Sequence, residues 1–577
     1  MPGPLAAVAS RLQPAFDAVE PGADPVVRPG RNGADVAVNG AIALARRAGV
    51  APAEMAARIV GSVDLADLCE TIDVAPQGFV NLRLAVPYLT EALRSVALDP
   101  RSGIEAVAQP RTVVVDYSSP NVAKEMHAGH VRTTIIGDAL CRMLTLVGHR
   151  VIRENHVGDW GTPFGMLIEH LVDVGESSGA RALSMGDLDG FYREARASFD
   201  GSAQFADRSR RRVVALQAGD PDTLRLWRVL VDQSIAYFTE VYERLGVQLT
   251  AADVVGESFY NDLLPTVVSD LDSSGMLVDS DGARCVFPDG FTNREGEPLP
   301  LIVQKSDGGF GYAATDLAAL RDRFSRLHAD VAVYVVGAPQ AQHFAMCFAV
   351  AQAAGWIPEG AEAHHVAFGN MLGSDRKMFR SREGDAVKLI DLVDEAVVRA
   401  GAAIADKNPD LDESERSDVA RMIGVGALKY ADLSTDRTRD YVFDWDRMLA
   451  FDGNTAPYLQ YAHVRCRSIF RRAEMESAPY AAGEVAVTVG EEPERALAIA
   501  LLNFGTALLA ALDTWSPHKL CSYLFDLAGT FTTFFETCPV LKAEPSIRES
   551  RLALCAITAE VLAAGLAVLG IEAPERM

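Results

Sequence analysis

The sequence predicts an α/β protein: a parallel sheet split by a helical insertion, with an α+β domain before it and an all-α bundle after it. Three observations carry that reading. First, a short β-branched run at 112–115, a polar loop, a helical run through Val131, Ile135, Ala139, Met143 and Val147, and a second strand at 151–154 make one βαβ unit, right-handed almost without exception. Second, from about 166 to 294 the apolar spacing becomes that of long helices, notably Leu224 to Leu245 through Trp227, Leu230, Ile235 and Phe238. Third, from about 386 onward no β-rich run of any length occurs.

Taken in order, residues 1–108 read as a small α+β domain. Helical patterns at 41–48 and 55–60 lead to the alternating strand Gly78-Phe-Val-Asn-Leu-Arg-Leu84, which has one buried face. The parallel-sheet domain spans 109–385, with the insertion inside it, and the helical domain spans 386–577. A chain of 577 residues is too long for one core, and 49% hydrophobic against 23% charged residues excludes disorder. No uninterrupted apolar run is read as long enough to span a membrane, and the N-terminus lacks a basic start followed by an apolar core, so a cytoplasmic protein is expected. Eight scattered cysteines with no CxxC pair argue against structural zinc and a disulfide framework. The net charge of −24 disfavours wholesale phosphate binding, but Arg465, Arg467, Arg471 and Arg472 cluster locally.

The loop between the first two parallel strands reads Asp116-Tyr-Ser-Ser-Pro-Asn-Val-Ala-Lys-Glu-Met-His-Ala-Gly-His130. It sits at a strand's carboxyl end, where open α/β sheets bind ligands. His127-Ala-Gly-His130 lies where a helix N-terminus presents free N–H groups and positive dipole, and Gly129 lets a phosphate approach the backbone. The residues alone leave two rivals: the histidines cap the helix, or they join His156 and Asp159 around zinc, although no HExxH or cysteine pair accompanies them.

Further on, Asn155-His-Val-Gly-Asp-Trp-Gly161 closes the second strand, offering Asn155, His156 and Asp159 to a ligand or, for Asp159, to the turn itself. A hairpin-like run at 275–288 precedes Leu301-Ile-Val-Gln-Lys-Ser-Asp-Gly-Gly-Phe-Gly-Tyr-Ala-Ala-Thr-Asp316, read as the resumption of the fold, with Tyr312 and Asp316 on one face of a helix's first turn. Strands at 331–336 and 364–368 flank Gly337-Ala-Pro-Gln340. A basic, glycine-bounded loop at 373–384 contains Lys377-Met-Phe-Arg-Ser381. In the last domain Tyr458, Tyr461 and Arg465 share a helical stripe, suited to unstacked bases or to a bundle core.

The run SSPNVAKEMHAGH resembles the form of the class I "HIGH" signature found in arginyl-tRNA synthetases, and the similarity covers nearly the whole chain. The resemblance implies a class I synthetase Rossmann-type fold that activates L-arginine with ATP and Mg²⁺ and transfers it to tRNA(Arg). It implies catalytic roles for His127, His130, Lys124, Lys377 and Arg380, and ATP binding by His127, Gly129, His130, Lys377 and Met378. Arginine is expected at Asp116, Ser119, Asn121, Tyr312, Asp316 and Gln340, and tRNA at Asn81, Tyr458, Tyr461, His463 and Arg465. Lys377-Met-Phe-Arg-Ser381 stands where the family has KMSKS and departs from it at Phe379 and Arg380. No resident metal, no editing site, no membrane partner and a monomeric state are expected. A nucleotide-binding protein without catalysis would lose signature residues, yet both histidines and Asn121 are present. A metal-dependent hydrolase would need a complete ligand set, which metal analysis would reveal.

Overall fold

The computed structural model describes residues 3–31, 33–176, 188–379, 387–408, 411–483, 485 and 487–577. The chain forms two compact units, one of Met1–Val107, Arg399–Ser434 and Asp446–Met577, the other of Ala108–Val398 and Thr435–Trp445. The expected first domain and most of the expected last one therefore share a unit. Local periodicity carries no trace of that union, because it arises from contacts between segments far apart in sequence.

In the second unit, four parallel strands lie in the order Glu362–His365, Val331–Tyr334, Thr112–Asp116, Arg150–Glu154. Val113, Val114 and Val115 are buried on both faces of the sheet, as a central parallel strand requires. The chain runs outward from Thr112–Asp116 to one side in its first half and returns to the other side in its second. The switch point lies between Thr112–Asp116 and Val331–Tyr334, whose last residues Asp116 and Tyr334 are in register. A crevice at the carboxyl ends of those two strands is where such sheets take a ligand.

Helix Gly129–Leu146 follows the first strand and ends at Gly148, whose φ of +96° a side chain would resist. It is buried on most of its faces, Arg132 and Asp138 included. In the insertion, Pro221–Leu245 starts one turn before its first read residue. Asp220 caps it by accepting Thr223 N–H at 2.9 Å, Pro221 sits in its first turn, and Gly246 in the left-handed region closes it.

Leu301–Gln304 does not resume the parallel sheet. It pairs antiparallel with Ala283–Val286, which pairs with Val278–Ser280. Leu301 and Val303 face inward while Ile302 is 47% exposed, so this three-residue apolar run is a one-faced strand and not a doubly buried one. The parallel sheet resumes at Val331.

The first unit has an antiparallel sheet in the order Val27–Pro29, Val36–Val38, Val80–Leu84, Cys69–Val74, together with long helices that include Glu413–Leu433, Ala456–Ala473, His518–Thr537 and Pro545–Val568. A buried ion pair, Arg495 to Asp35 at 2.6 Å, ties its sheet to helix Glu492–Leu502, and Arg551 to Glu494 at 2.6 Å extends it. Breaking one partner of such a pair leaves a buried charge uncompensated and costs about 3–5 kcal/mol. Two stretches, Glu492–Leu512 and Pro545–Val568, are long and apolar enough to cross a membrane by length and composition, which corrects the expectation that none is. The second carries Glu560 within it, and 78% of its apolar window is buried inside the bundle, as a helix apolar all round requires. All eight cysteines are buried and free.

Candidate active site

The signature loop is held by partners from the insertion as well as from the sheet. Ser118, Ser119 and Ala123 all have positive φ, at 73°, 49° and 58°, a conformation that side chains adopt only when the surroundings impose it. The surroundings are explicit. Ser118 N–H donates to Thr133 Oγ1 at 3.0 Å and its hydroxyl pairs with Tyr242 at 2.7 Å. Ser119 N–H donates to Asn155 Oδ1 at 2.9 Å, and Ala123 N–H to Ser234 Oγ at 2.9 Å. Tyr242 and Ser234 belong to the Pro221–Leu245 helix, so the insertion buttresses the loop. Asn155, fully buried and also donating to Tyr242, supports this loop and does not face a ligand.

The two histidines point the same kind of donor outward. His127 N–H donates to His130 Nδ1 at 3.1 Å, and Gly129 N–H donates to His127 Nδ1 at 3.0 Å. With both Nδ1 atoms accepting, the proton of each neutral ring sits on Nε2. The rings lie 4.1 Å apart. Burial, with His127 beside it, lowers the His130 pKa to about 3, and burial lowers that of His127 too. The pair is therefore neutral at pH 7 and offers two Nε2–H donors at a helix N-terminus, a cradle for phosphate. Gly129 is required there, since a Cβ would lie 2.8 Å from the His127 ring.

Asp116 takes a different place from the expected one. It is 5% exposed; Arg323 donates to its Oδ2 at 2.8 Å and Ser119 to its Oδ1 at 3.1 Å. Arg323 also donates to Glu154 at 2.6 Å and stacks on Tyr334, 4.5 Å from the ring centre. A carboxylate engaged by the chain's own guanidinium has little left for a second one, so Asp116 and the Ser119 hydroxyl build the floor of the switch point. Asn121 is exposed, and its side chain lies over Gly158, where any Cβ would meet Asn121 Oδ1 at 2.4 Å. Asp159 is a turn anchor, accepting Ser258 N–H at 2.8 Å and Ser258 hydroxyl at 2.6 Å.

Across the sheet, Gln340 is exposed at the start of helix Ala341–Ala353, directly after the Val331–Tyr334 strand. His343 in that helix's first turn pairs with Asp316 at 2.6 Å, which brings helix Tyr312–Ser325 to the same end of the sheet. Tyr312 is 78% exposed. Asp316, one turn after Tyr312, is thus joined to His343, three residues after Gln340, a residue that sequence reasoning missed because nothing in its spacing points to a site.

Glu257 was also missed. Its backbone N–H donates to Val157 O at 3.1 Å, placing it beside the 155–161 turn. Burial, reinforced by the carboxylates of Asp159 and Asp316, pushes its pKa up to about 8. A buried carboxyl held up by two neighbouring carboxylates marks a site short of a cation. Because a guanidinium stays charged throughout, affinity for one should grow as Glu257 ionises. We expect kcat/KM for the cationic substrate to climb roughly threefold to tenfold from about pH 6.5 to about pH 9, and Glu257→Gln to flatten that rise. A pH profile identical in the two proteins would place Glu257 outside the site.

Lys124 is exposed, with its ammonium 4.7 Å from the ring centre of Tyr192 in helix Leu188–Gly201. The segment after the basic loop at 373–384 is stitched to the signature loop: Ala128 N–H donates to Val387 O and Leu389 N–H to Met126 O, both at 2.8 Å, and Lys388 pairs with Glu125 at 2.7 Å. Lys377 and Met378 lie in a tight turn closed by Gly373 N–H to Lys377 O at 2.8 Å, with Phe379 against Phe443. Arg380 lies outside the described residues.

Of the expected RNA-facing residues in the first unit, Tyr461 is 44% exposed and carries the Arg465 guanidinium 5.5 Å from its ring centre. Tyr458 is half-buried against Phe525, and Asn81 is half-buried in its strand. His463, expected to face RNA, is instead buried, and its Nδ1 pairs with Pro574 O at 3.0 Å, holding the C-terminal segment. Arg467 and Arg471 are engaged by the same segment, through Glu575.

Three comparisons bear on this geometry. Residues 93–445 match the family described as tRNA synthetases class I (R), catalytic domain; residues 459–577 match the DALR anticodon binding domain; and residues 5–84 match the arginyl tRNA synthetase N terminal domain. The chain is 52% identical to the arginine–tRNA ligase of Thermobifida fusca over 99% of this chain and 98% of that one, and 47% identical to that of Escherichia coli K12 over 94% of each. Among solved structures it resembles the arginyl-tRNA synthetase of Plasmodium falciparum with a TM-score of 0.85 at 30% identity, covering 100% of both chains.

Proposed function

The chain belongs to the arginyl-tRNA synthetase family of class I enzymes, and from that premise we propose how its residues activate L-arginine with ATP and charge tRNA(Arg). The observation that carries the reading is the pairing, at one end of the sheet, of two neutral Nε2–H donors at His127 and His130 with an acidic cluster at Glu257 and Asp316. The first suits a triphosphate and the second a guanidinium.

Attack of the arginine carboxylate on the α-phosphorus needs alignment and charge stabilisation more than covalent help. ATP enters as its magnesium complex. His127 and His130 donate to its phosphates from a helix N-terminus, Gly129 and Met378 border the nucleotide, and Lys124 with the Lys377–Arg380 segment adds positive charge. The guanidinium is read by Asp316 and Glu257, with Tyr312 across its face and Gln340 and Asn121 toward the α-amino and carboxylate end. A guanidinium presents five donors and no acceptor, so carboxylates in a fork reject citrulline for want of charge and lysine for want of planarity. Discrimination of that kind makes editing unnecessary. His343, donating to Asp316, holds the carboxylate in place.

Charging follows when the terminal ribose of tRNA(Arg) attacks the adenylate. Tyr461 and Arg465 contact the anticodon loop, Asn81 contacts the tRNA body, and the enzyme works in the cytoplasm as a monomer. ATP–pyrophosphate exchange with each amino acid, with and without tRNA, tests the reading: exchange should be specific to arginine. It should also require tRNA(Arg), since anticodon docking through Tyr461 and Arg465 is coupled to activation. Full exchange without any tRNA would remove that coupling, and exchange with another amino acid would remove the specificity.

A further inference from the structure

Among the described residues, one group of His, Cys and acidic side chains brings its ligand atoms together: Asp316, His343 and Cys347 lie with those atoms within 4.8 Å of one another. His343 and Cys347 are four apart on helix Ala341–Ala353, on one face, and Asp316 reaches across from helix Tyr312–Ser325. The Cys347 sulfur is 3.7 Å from His343 Nε2, and Asp316 Oδ2 is 2.6 Å from the same nitrogen. We propose that this triad is a binding site for a thiophilic divalent cation of the zinc type, which excludes arginine from its pocket by taking Asp316.

The donor set decides the class of metal. One thiolate, one imidazole nitrogen and one carboxylate oxygen suit zinc or cobalt and not magnesium or calcium, which prefer oxygen alone. Zinc bonds of about 2.0–2.3 Å set tetrahedral donors roughly 3.3–3.7 Å apart. The sulfur-to-nitrogen spacing already meets that, and the Asp316–His343 contact must open by about 1 Å: the ring proton moves from Nε2 to Nδ1 through solvent, and their mutual hydrogen bond is exchanged for two metal bonds. Cys347 gives up its proton to solvent as the metal binds. Water fills the fourth position. His343 and Asp316 are 28% and 19% exposed in their side chains, so the ion enters from the pocket side while the sulfur waits beneath. Spacing searches for paired cysteines pass over the triad because its members come from two helices. Its inhibitory effect rests on Asp316 being the guanidinium partner; the binding of metal does not.

Cobalt(II) added to the apo protein tests both parts. A thiolate-to-cobalt charge-transfer band is expected in the wild type and is expected to vanish in Cys347→Ser and Cys347→Ala, two variants so that one poorly folded protein cannot decide the matter. Both should keep wild-type exchange activity without metal. Zinc should displace cobalt and inhibit arginine-dependent exchange in the wild type, and ten KM of arginine should raise the zinc needed for half-inhibition by about tenfold. No band, or a band equal in the cysteine variants, overturns the site. A Cys347-dependent band that saturating arginine leaves unchanged supports the metal site and counts against Asp316 as the guanidinium partner.

Discussion

Replacing Lys124 with alanine is expected to lower kcat for adenylate formation by on the order of a hundredfold, with little change in the KM for arginine, the pattern of a contact made in the transition state. The second signature has Arg380 where most class I enzymes have a lysine, and a planar guanidinium does not fit a site shaped for a point charge. Lys124 stands three residues before His127, on the loop that carries both phosphate donors. In the structure its ammonium rests on the Tyr192 ring at 4.7 Å. At an exposed site such a contact contributes about 0.5–1 kcal/mol. A lysine leaves it readily for a phosphate, where a charge-assisted hydrogen bond is worth about 1.5–3 kcal/mol. The same magnitude limits the alternative explanation of a rate loss: alanine at 124 removes too little folding energy to empty the native state. Single-turnover adenylation of Lys124→Ala and Arg380→Ala separates the two lysine-equivalent positions. A near wild-type Lys124→Ala beside a crippled Arg380→Ala would return the charge to the second signature.

The parts of this molecule that were legible in the sequence are those whose cause is local. Three of the four parallel strands declare themselves by β-branched runs, whereas Glu362–His365 has none and begins two residues before its expected start at 364. The signature loop declares itself by a run of residues long enough to carry a family resemblance, which the two histidines alone do not. The parts that were not legible depend on distant partners. Asp116 reads as a free carboxylate until Arg323, two hundred residues away, is seen to occupy it. His463 stands in a polar stripe with Tyr461 and Arg465, yet its ring faces the carbonyl of Pro574, which no spacing rule predicts. Leu301–Gln304 has the composition of a core strand and the alternation of an edge one, and composition was the weaker guide. Glu257 carries no motif at all. Its significance comes from Asp159 and Asp316 beside it, carboxylates that only the fold assembles.

For Asp316→Asn, kcat/KM for arginine is expected to drop by roughly tenfold or more, about 1.4 kcal/mol or above, while the fold is kept. The substitution conserves size and an acceptor oxygen, so His343 keeps a partner for its Nε2–H across the 2.6 Å contact and the two helices stay joined. What is lost is charge. With Glu257 pushed up to about 8 and therefore mostly protonated at pH 7, Asp316 supplies the principal negative charge for the guanidinium there. Above about pH 8 Glu257 ionises and makes up part of the loss, so the penalty of Asp316→Asn should shrink as pH rises. That direction separates a binding role from a structural one, since a damaged fold would not recover with pH. The preference for arginine over citrulline should fall by about the same factor as kcat/KM, because a neutral analogue never used the charge. Steady-state kinetics for both substrates at pH 7 and pH 9 decide the matter, and an unchanged arginine value at pH 7 would take Asp316 out of the site.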